Sequence, residues 1–165
     1  MNAIDVFARI YDLPPLVRTR LLSAGIPRVI PLASGLGIRV CDVDDVHAMS
    51  TMPFSRRSRN HVGSMYIGAL LVHAEITMAT LVVGRCRPPA FRVLVKRNEA
   101  DYLARATGAV RAVCAPEGDE RAALEACCAL RAGKGEAWVT VHTTHVHDGA
   151  PICRVRFLVS VKHQG

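Results

Sequence analysis

Two periods of hydrophobic spacing run through this chain, and the places where one gives way to the other predict its elements. Residues 36–53 alternate: Ile38 and Val40 oppose Arg39 and Cys41, then Val46, Ala48, Ser50 and Met52 follow Asp44-Asp45. Side chains two apart share one face of a strand, so this segment predicts a hairpin. Residues 54–64, FSRRSRNHVGS, are polar and contain glycine, hence a loop. The run VGSMYIGALLVHAEITMATLVVG at 62–84 is too long for a strand and predicts a buried helix from near Tyr66, which Pro88-Pro89 follows as a break. Strand patterns return at 91–98 and 109–116, and then at 136–149 and 150–163 around the turn His147-Asp148-Gly149. Residues 100–108 are ambiguous, and 118–133 have helical composition between Asp119 and Gly133. Residues 2–25 read as one or two short helices interrupted by Pro14-Pro15, with Ile4, Phe7, Ala8, Leu16, Leu21 and Leu22 as apolar positions and Gly25 as a stop.

Strands joined by short turns imply an antiparallel sheet, and the apolar helix must pack on its face, giving an α+β fold. A helix apolar all round must be covered on more than one side, so the sheet curls around it, a second subunit covers it, or both. The expected organisation is an N-terminal helical extension over residues 1–32 and one domain over 33–165.

At 165 residues the chain can bury a core but is short for two domains. Its net charge of +7 concentrates at Arg56, Arg57 and Arg59 and at Arg85, Arg87, Arg92, Lys96 and Arg97. Aromatic residues make up only 5%, which argues against a base-stacking surface and hence against nucleic acid as a partner. Residues 62–84 are long enough to cross a bilayer, but Glu75 and His73 lie inside the run and arginines flank both ends, so no membrane is expected. Six cysteines form no Cys-x-x-Cys pair, and the N-terminal segment lacks a signal-peptide apolar block. Reduced thiols in a cytoplasmic protein are the expectation, with Cys127 and Cys128 free. His145 and His147 share one strand face and His142 the other, so the three cannot meet at one metal without a bulge, and no metal site is expected.

The helix start carries the candidate chemistry. At about 100° per residue, Gly68 and Glu75 lie almost in line, with Leu71, Val72, Met78 and Ala79 on the same face. His73 points the opposite way as a packed or partner-facing residue, and Thr77 is expected to return its hydroxyl to the helix backbone. Gly63, Ser64 and Gly68 allow close approach of backbone to a ligand. The free first-turn N–H groups there can hold an oxyanion. Glu75 follows Gly68 by about 10 Å of helix rise, a spacing that suits a carboxylate beside a carbonyl held above the first turn. Spacing alone leaves a second reading open, in which the glycines serve packing and an arginine neutralises Glu75.

The stretch RNHVGSMYIGALLVHAE, residues 59–75, resembles the signature of hotdog-fold acyl-CoA thioesterases of the PaaI type. Asn60, Gly63, Ser64, Gly68 and Glu75 fall on its register, and the element order over 33–163 is similar. The likeness is greater to an uncharacterised branch that has an aromatic residue at the position of Tyr66. Two departures stand out: Tyr66 replaces a histidine common in the family, and Ile67 replaces the first glycine of a Gly-Gly pair. The resemblance implies a hotdog fold, five or six curved antiparallel strands around a long central helix, assembled as a homodimer or dimer of dimers. It implies hydrolysis of an acyl-CoA or related thioester with no cofactor. Glu75 would act as general base or nucleophile, Gly68 would supply the oxyanion amide, and Asn60 would hold water or substrate facing the partner's carboxylate. Gly63, Ser64, Tyr66, Leu71, Val72 and Met78 would line the substrate site, with the apolar members desolvating Glu75, and Arg56, Arg57 or Lys96 would meet the coenzyme A phosphates. The alternative is a non-catalytic hotdog that binds acyl chains or acts as a dimeric scaffold. A hotdog dehydratase needs an acid and base pair, usually with histidine, and Tyr66 argues against that.

Overall fold

A computed structural model describes residues 9–87 and 90–164. The positions Ile4, Phe7 and Ala8 and the break at Pro88-Pro89 lie outside the described residues. The elements, in order, are helix α1 (Pro15–Val29), a short 3-10 turn (Pro31–Ala33), strands β1 (Arg39–Val43) and β2 (Ala48–Met52), helix α2 (Ile67–Cys86), strands β3 (Phe91–Tyr102) and β4 (Val110–Cys114), helix α3 (Gly118–Cys128), and strands β5 (Lys134–His145) and β6 (Pro151–His163). Six strands form one sheet in the order β1-β2-β4-β5-β6-β3. Every neighbouring pair is antiparallel. With α2 against its inner face, this is the hotdog fold.

Alternation builds the inner face. Met52 on β2, Val110 and Ala112 on β4, Val139 and Val141 on β5, and Val155, Phe157 and Val159 on β6 are all fully buried. They close on Leu70, Ala74, Leu81 and Val82 of α2. Each large side chain taken from water here contributes about 1.5–3 kcal/mol before entropy is counted. The β1–β2 turn is held by Asp44, whose Oδ1 accepts the backbone N–H groups of Val46 and His47 at 2.7 and 2.8 Å. That bond pattern is why Asp44-Asp45 could be read as a turn.

The segments at either end of the sheet differ from expectation. Helix α1 runs through Gly25 and past Pro27 to Val29, where Ile30 N–H still reaches Ile26 O at 2.8 Å, although Pro27 lacks the N–H that would bond Ser23 O. The ambiguous residues 100–102 continue β3, pairing with β6 as far as Tyr102 opposite Cys153. Helix α3 stops at Cys128, short of the expected Gly133.

Helix α2 is long and apolar enough to cross a membrane by length and composition, yet 61% of its most apolar window is buried within the protein. The sheet covers one side, and part of the rest is covered by the chain's own N-terminal segment. The Tyr11 ring lies on Gly84, where an added Cβ would come within 2.4 Å of it, and the Tyr11 hydroxyl donates to Thr80 O at 2.6 Å. This contact was not foreseen. Glycine at position 84 is what admits the ring.

Candidate functional site

The loop entering α2 is organised by Asn60. Its Oδ1 accepts from Val62 N–H at 3.1 Å and Ser64 N–H at 3.0 Å, while its amide donates to Ser64 Oγ at 3.1 Å and Met65 O at 3.4 Å. Gly63 takes φ +75, the left-handed conformation the tight turn requires. Ser64 is buried as a partner of Asn60. Met65 N–H reaches Ala106 O and Tyr66 N–H reaches Ser58 O, each at 2.8 Å, which fixes the direction in which α2 departs. Asn60 is thus the internal brace of the loop, with both ends of its side chain engaged.

At the helix start, Tyr66 is the N-cap in extended conformation and makes no side-chain cap bond. Its carbonyl accepts from Ala69 and Leu70. The amides of Ile67 and Gly68 have no acceptor among the described residues, which leaves two donors and the positive end of the helix dipole facing outward. The space beside Gly68 is not empty, however. A Cβ there would lie 2.8 Å from Tyr66 Cε1, so the aromatic ring folds over the glycine. The expected open approach at Gly68 is narrowed by its own neighbour.

Glu75 departs most from expectation. In the single chain it is exposed, not held in an apolar tunnel. It makes no salt bridge or side-chain hydrogen bond among the described residues, so the alternative of an arginine clamp is not found either. Arg85, the arginine in the last turn of α2, pairs instead with Glu125 at 3.3 Å. Gly68, Leu71, Val72, Ala79 and Val83 are all partly exposed and share helical spacing with Glu75. The result is an apolar stripe, uncovered by the rest of the chain, with one carboxylate on it. Met78 was expected on this stripe and is not. It is 1% exposed and turned into the core, because its position three residues on rotates it past the stripe's edge.

The opposite face of α2 carries a buried polar chain. His73 Nε2 meets Ser50 Oγ at 2.8 Å, Ser50 Oγ meets Thr77 Oγ1 at 2.6 Å, and Thr77 donates to His73 O at 2.8 Å. Complete burial drives the His73 pKa down to about 4, with the Ser50 bond opposing the shift. His73 is packed as one of the two expected readings had it, and Thr77 returns its hydroxyl to the backbone as expected.

Of the basic residues expected at phosphates, Lys96 is paired with Glu136 at 2.8 Å and Arg57 lies along Gly35. Arg56 is exposed. An open cleft of about 610 Å³ lies elsewhere, among Glu117, Glu120, Thr140, His142, Arg154 and Arg156. Two of its charged groups are already engaged: Glu120 accepts from Thr140, and Arg154 pairs with Asp101, outside the lining, at 2.6 Å. His142 faces that cleft, away from His145 and His147. The expectation of free thiols is corrected at two residues: Cys86 and Cys128 are joined as a disulfide, tying the end of α2 to the end of α3. Cys41, Cys114, Cys127 and Cys153 remain free, and burial, with Glu120 nearby, pushes the Cys114 thiol up to about 12. Such a thiol is no nucleophile.

Over residues 18–161 the sequence matches the family described as a domain of unknown function, DUF4442. The chain belongs to the DUF4442 family. Among solved structures similar to this DUF4442 chain is a Pseudomonas aeruginosa protein described as of unknown function and "Probable Thioesterase". It is 24% identical with a TM-score of 0.76, over 92% of this chain and 97% of that one. A Chlorobaculum tepidum protein of unknown function is 17% identical with a TM-score of 0.74, over 92% and 98% of the two chains. A thioesterase from Haemophilus influenzae is 16% identical with a TM-score of 0.61, over 84% and 90%. At these identities the likeness is one of fold. No curated protein matches.

Proposed function

We propose that the protein hydrolyses acyl thioesters, with coenzyme A thioesters as the substrate class, at a site assembled between two copies of the chain. One observation carries this reading: Glu75 is an unpaired carboxylate on an apolar stripe that its own chain leaves open. A stripe of this kind favours coverage by another apolar surface. Leu71 and Val72 lie midway between Gly68 and Glu75. A two-fold axis passing near them sets two antiparallel α2 helices side by side, so that Glu75 of each copy comes opposite Gly68 of the other. Coverage also strips water from the carboxylate and aligns it with the unpaired amides of Ile67 and Gly68.

In that arrangement Glu75 takes a proton from water as the water attacks the thioester carbonyl, or attacks the carbonyl itself to form an anhydride. The amides hold the developing oxyanion. The thiolate leaves without acid help. Asn60 acts by holding the loop that aims these amides. Leu71 and Val72 contact the acyl group. Tyr66, over Gly68, forms the lip of the entrance. Edge strand β3, with Leu94, Val95 and Tyr102 exposed, supports the same assembly by offering a second copy an unpaired strand edge.

Thiol release is measured on short, medium, long and aromatic acyl-CoAs for wild type, Glu75→Gln and Gly68→Val. Turnover by wild type and a fall of roughly a hundredfold or more in both variants is expected. Mixing the two inactive variants restores about a quarter of wild-type activity, because a mixed dimer keeps one intact site. Unchanged turnover in Glu75→Gln removes Glu75 from the chemistry. A second reading, a hotdog that binds acyl chains or serves as a scaffold without turnover, is favoured by one observation: the Tyr66 ring over Gly68. Acyl-CoA binding with no turnover by wild type would establish it.

A further inference from the structure

At the end of the sheet where β5 turns into β6, His145 is 7% exposed, and neither of its ring nitrogens has a hydrogen-bond partner. A buried imidazole with both nitrogens unsatisfied is costly, and it marks a place where a partner is missing. Two residues earlier on the same inner face, Thr143 Oγ1 is also buried and unpartnered. Two further donors converge on the histidine. One ligand atom each from His145, His147 and Asp148 lie within 4.8 Å of one another. The two imidazoles stand with ring centroids 5.0 Å apart. A Cβ built on Gly108 would lie 3.9 Å from His145 Nδ1 and 4.0 Å from His147 Nδ1, so nothing from that position crowds the two rings.

The turn is already braced for this geometry. Asp148 Oδ1 accepts from Ala150 N–H at 2.9 Å, which orients the carboxylate and leaves Oδ2 against His147 Nε2 at 2.9 Å. His145 O accepts from Gly149 N–H, and Val146 N–H reaches Ala109 O, tying the turn to the segment that carries Gly108.

We propose that His145, His147 and Asp148 bind one divalent transition-metal ion of the zinc class per chain. Two neutral imidazoles and a carboxylate are a ligand set suited to zinc, with a fourth, tetrahedral position left to water. The ion satisfies a nitrogen of His145 and clips the β5–β6 turn to itself. Sequence reasoning missed the site because it asked whether three histidines could converge. His142 cannot, and the third donor is the turn aspartate. The site is separate from the Glu75 stripe and stands whether or not the protein is a thioesterase.

The test uses the tag-free full-length chain, stripped with a chelator and titrated with zinc alone by calorimetry and with cobalt(II) alone by visible absorption. One equivalent per chain is expected, with a four-coordinate cobalt spectrum free of thiolate charge-transfer bands. His147→Ala and Asp148→Asn change exposed side chains and keep the fold, as circular dichroism checks. Each should weaken binding roughly tenfold or more, with His142→Ala unchanged. Absence of stoichiometric binding, affinity unaltered in both His147→Ala and Asp148→Asn, or a cobalt–thiolate band would overturn the proposal.

Discussion

Acid should destabilise this protein through His73 in particular. The side chain is wholly buried between α2 and β2, with Nε2 on Ser50 and Nδ1 without a partner, so a proton added there introduces an uncompensated charge into the core. The pKa is depressed from 6.5 to about 4 in the folded chain. A depressed folded pKa means that the neutral histidine's contribution is fully present above pH 6.5. It is lost as pH falls toward 4, because the unfolded chain takes up a proton that the folded chain refuses. At about 1.4 kcal/mol per unit, the loss between pH 7.5 and pH 4.5 is roughly 2.5 kcal/mol. That is a large share of a typical domain's stability of about 5–15 kcal/mol. Carboxylates titrate in part of the same range, so the measurement is a difference. Urea unfolding midpoints are recorded from pH 7.5 to 4.5 for wild type and for His73→Gln, in which an amide near the Nε2 position can still meet Ser50. Glutamine does not titrate, so the variant's curve should be flatter by about the stated amount, although its stability at pH 7.5 is lower. Parallel curves for the two proteins would refute the reasoning and place the acid sensitivity elsewhere.

Three further outcomes follow from contacts described above. Reducing the Cys86–Cys128 bond releases a loop closed across 42 residues and should lower stability by up to about 4 kcal/mol, read as a drop in the urea midpoint with reductant; no change in midpoint would mean that the bond does not form in solution. Gly84→Ala places a methyl against the Tyr11 ring and should cost about 1–3 kcal/mol, and adding Tyr11→Ala should remove most of that penalty in a double-mutant cycle. Asn60→Ala strips the loop of its brace and should cost roughly 2 kcal/mol in thermal unfolding; full stability with lost thiol release would instead put Asn60 in contact with substrate.

The nature and order of the elements could be read from the chain because they depend on neighbours in sequence. Alternation through Val46, Ala48, Ser50 and Met52, and an unbroken apolar run after Tyr66, leave few ways to hide the apolar side chains, and the sheet around a central helix is one of them. The register of Gly68 with Glu75 follows equally from helix geometry. What periodicity could not supply is the identity of each residue's partner across the fold. Asn60 turned inward to its own loop, Met78 fell into the core, and Tyr66 folded back over Gly68, each because the local backbone path settles where a side chain ends. Cys86 met Cys128, Tyr11 met Gly84, and Asp148 joined His145 and His147 only when elements far apart, or a turn's exact backbone path, brought them together. The exposure of Glu75 belongs to the same level. A chain's own pattern says that a carboxylate sits on an apolar face, but which surface covers that face depends on how whole elements, and whole molecules, pack.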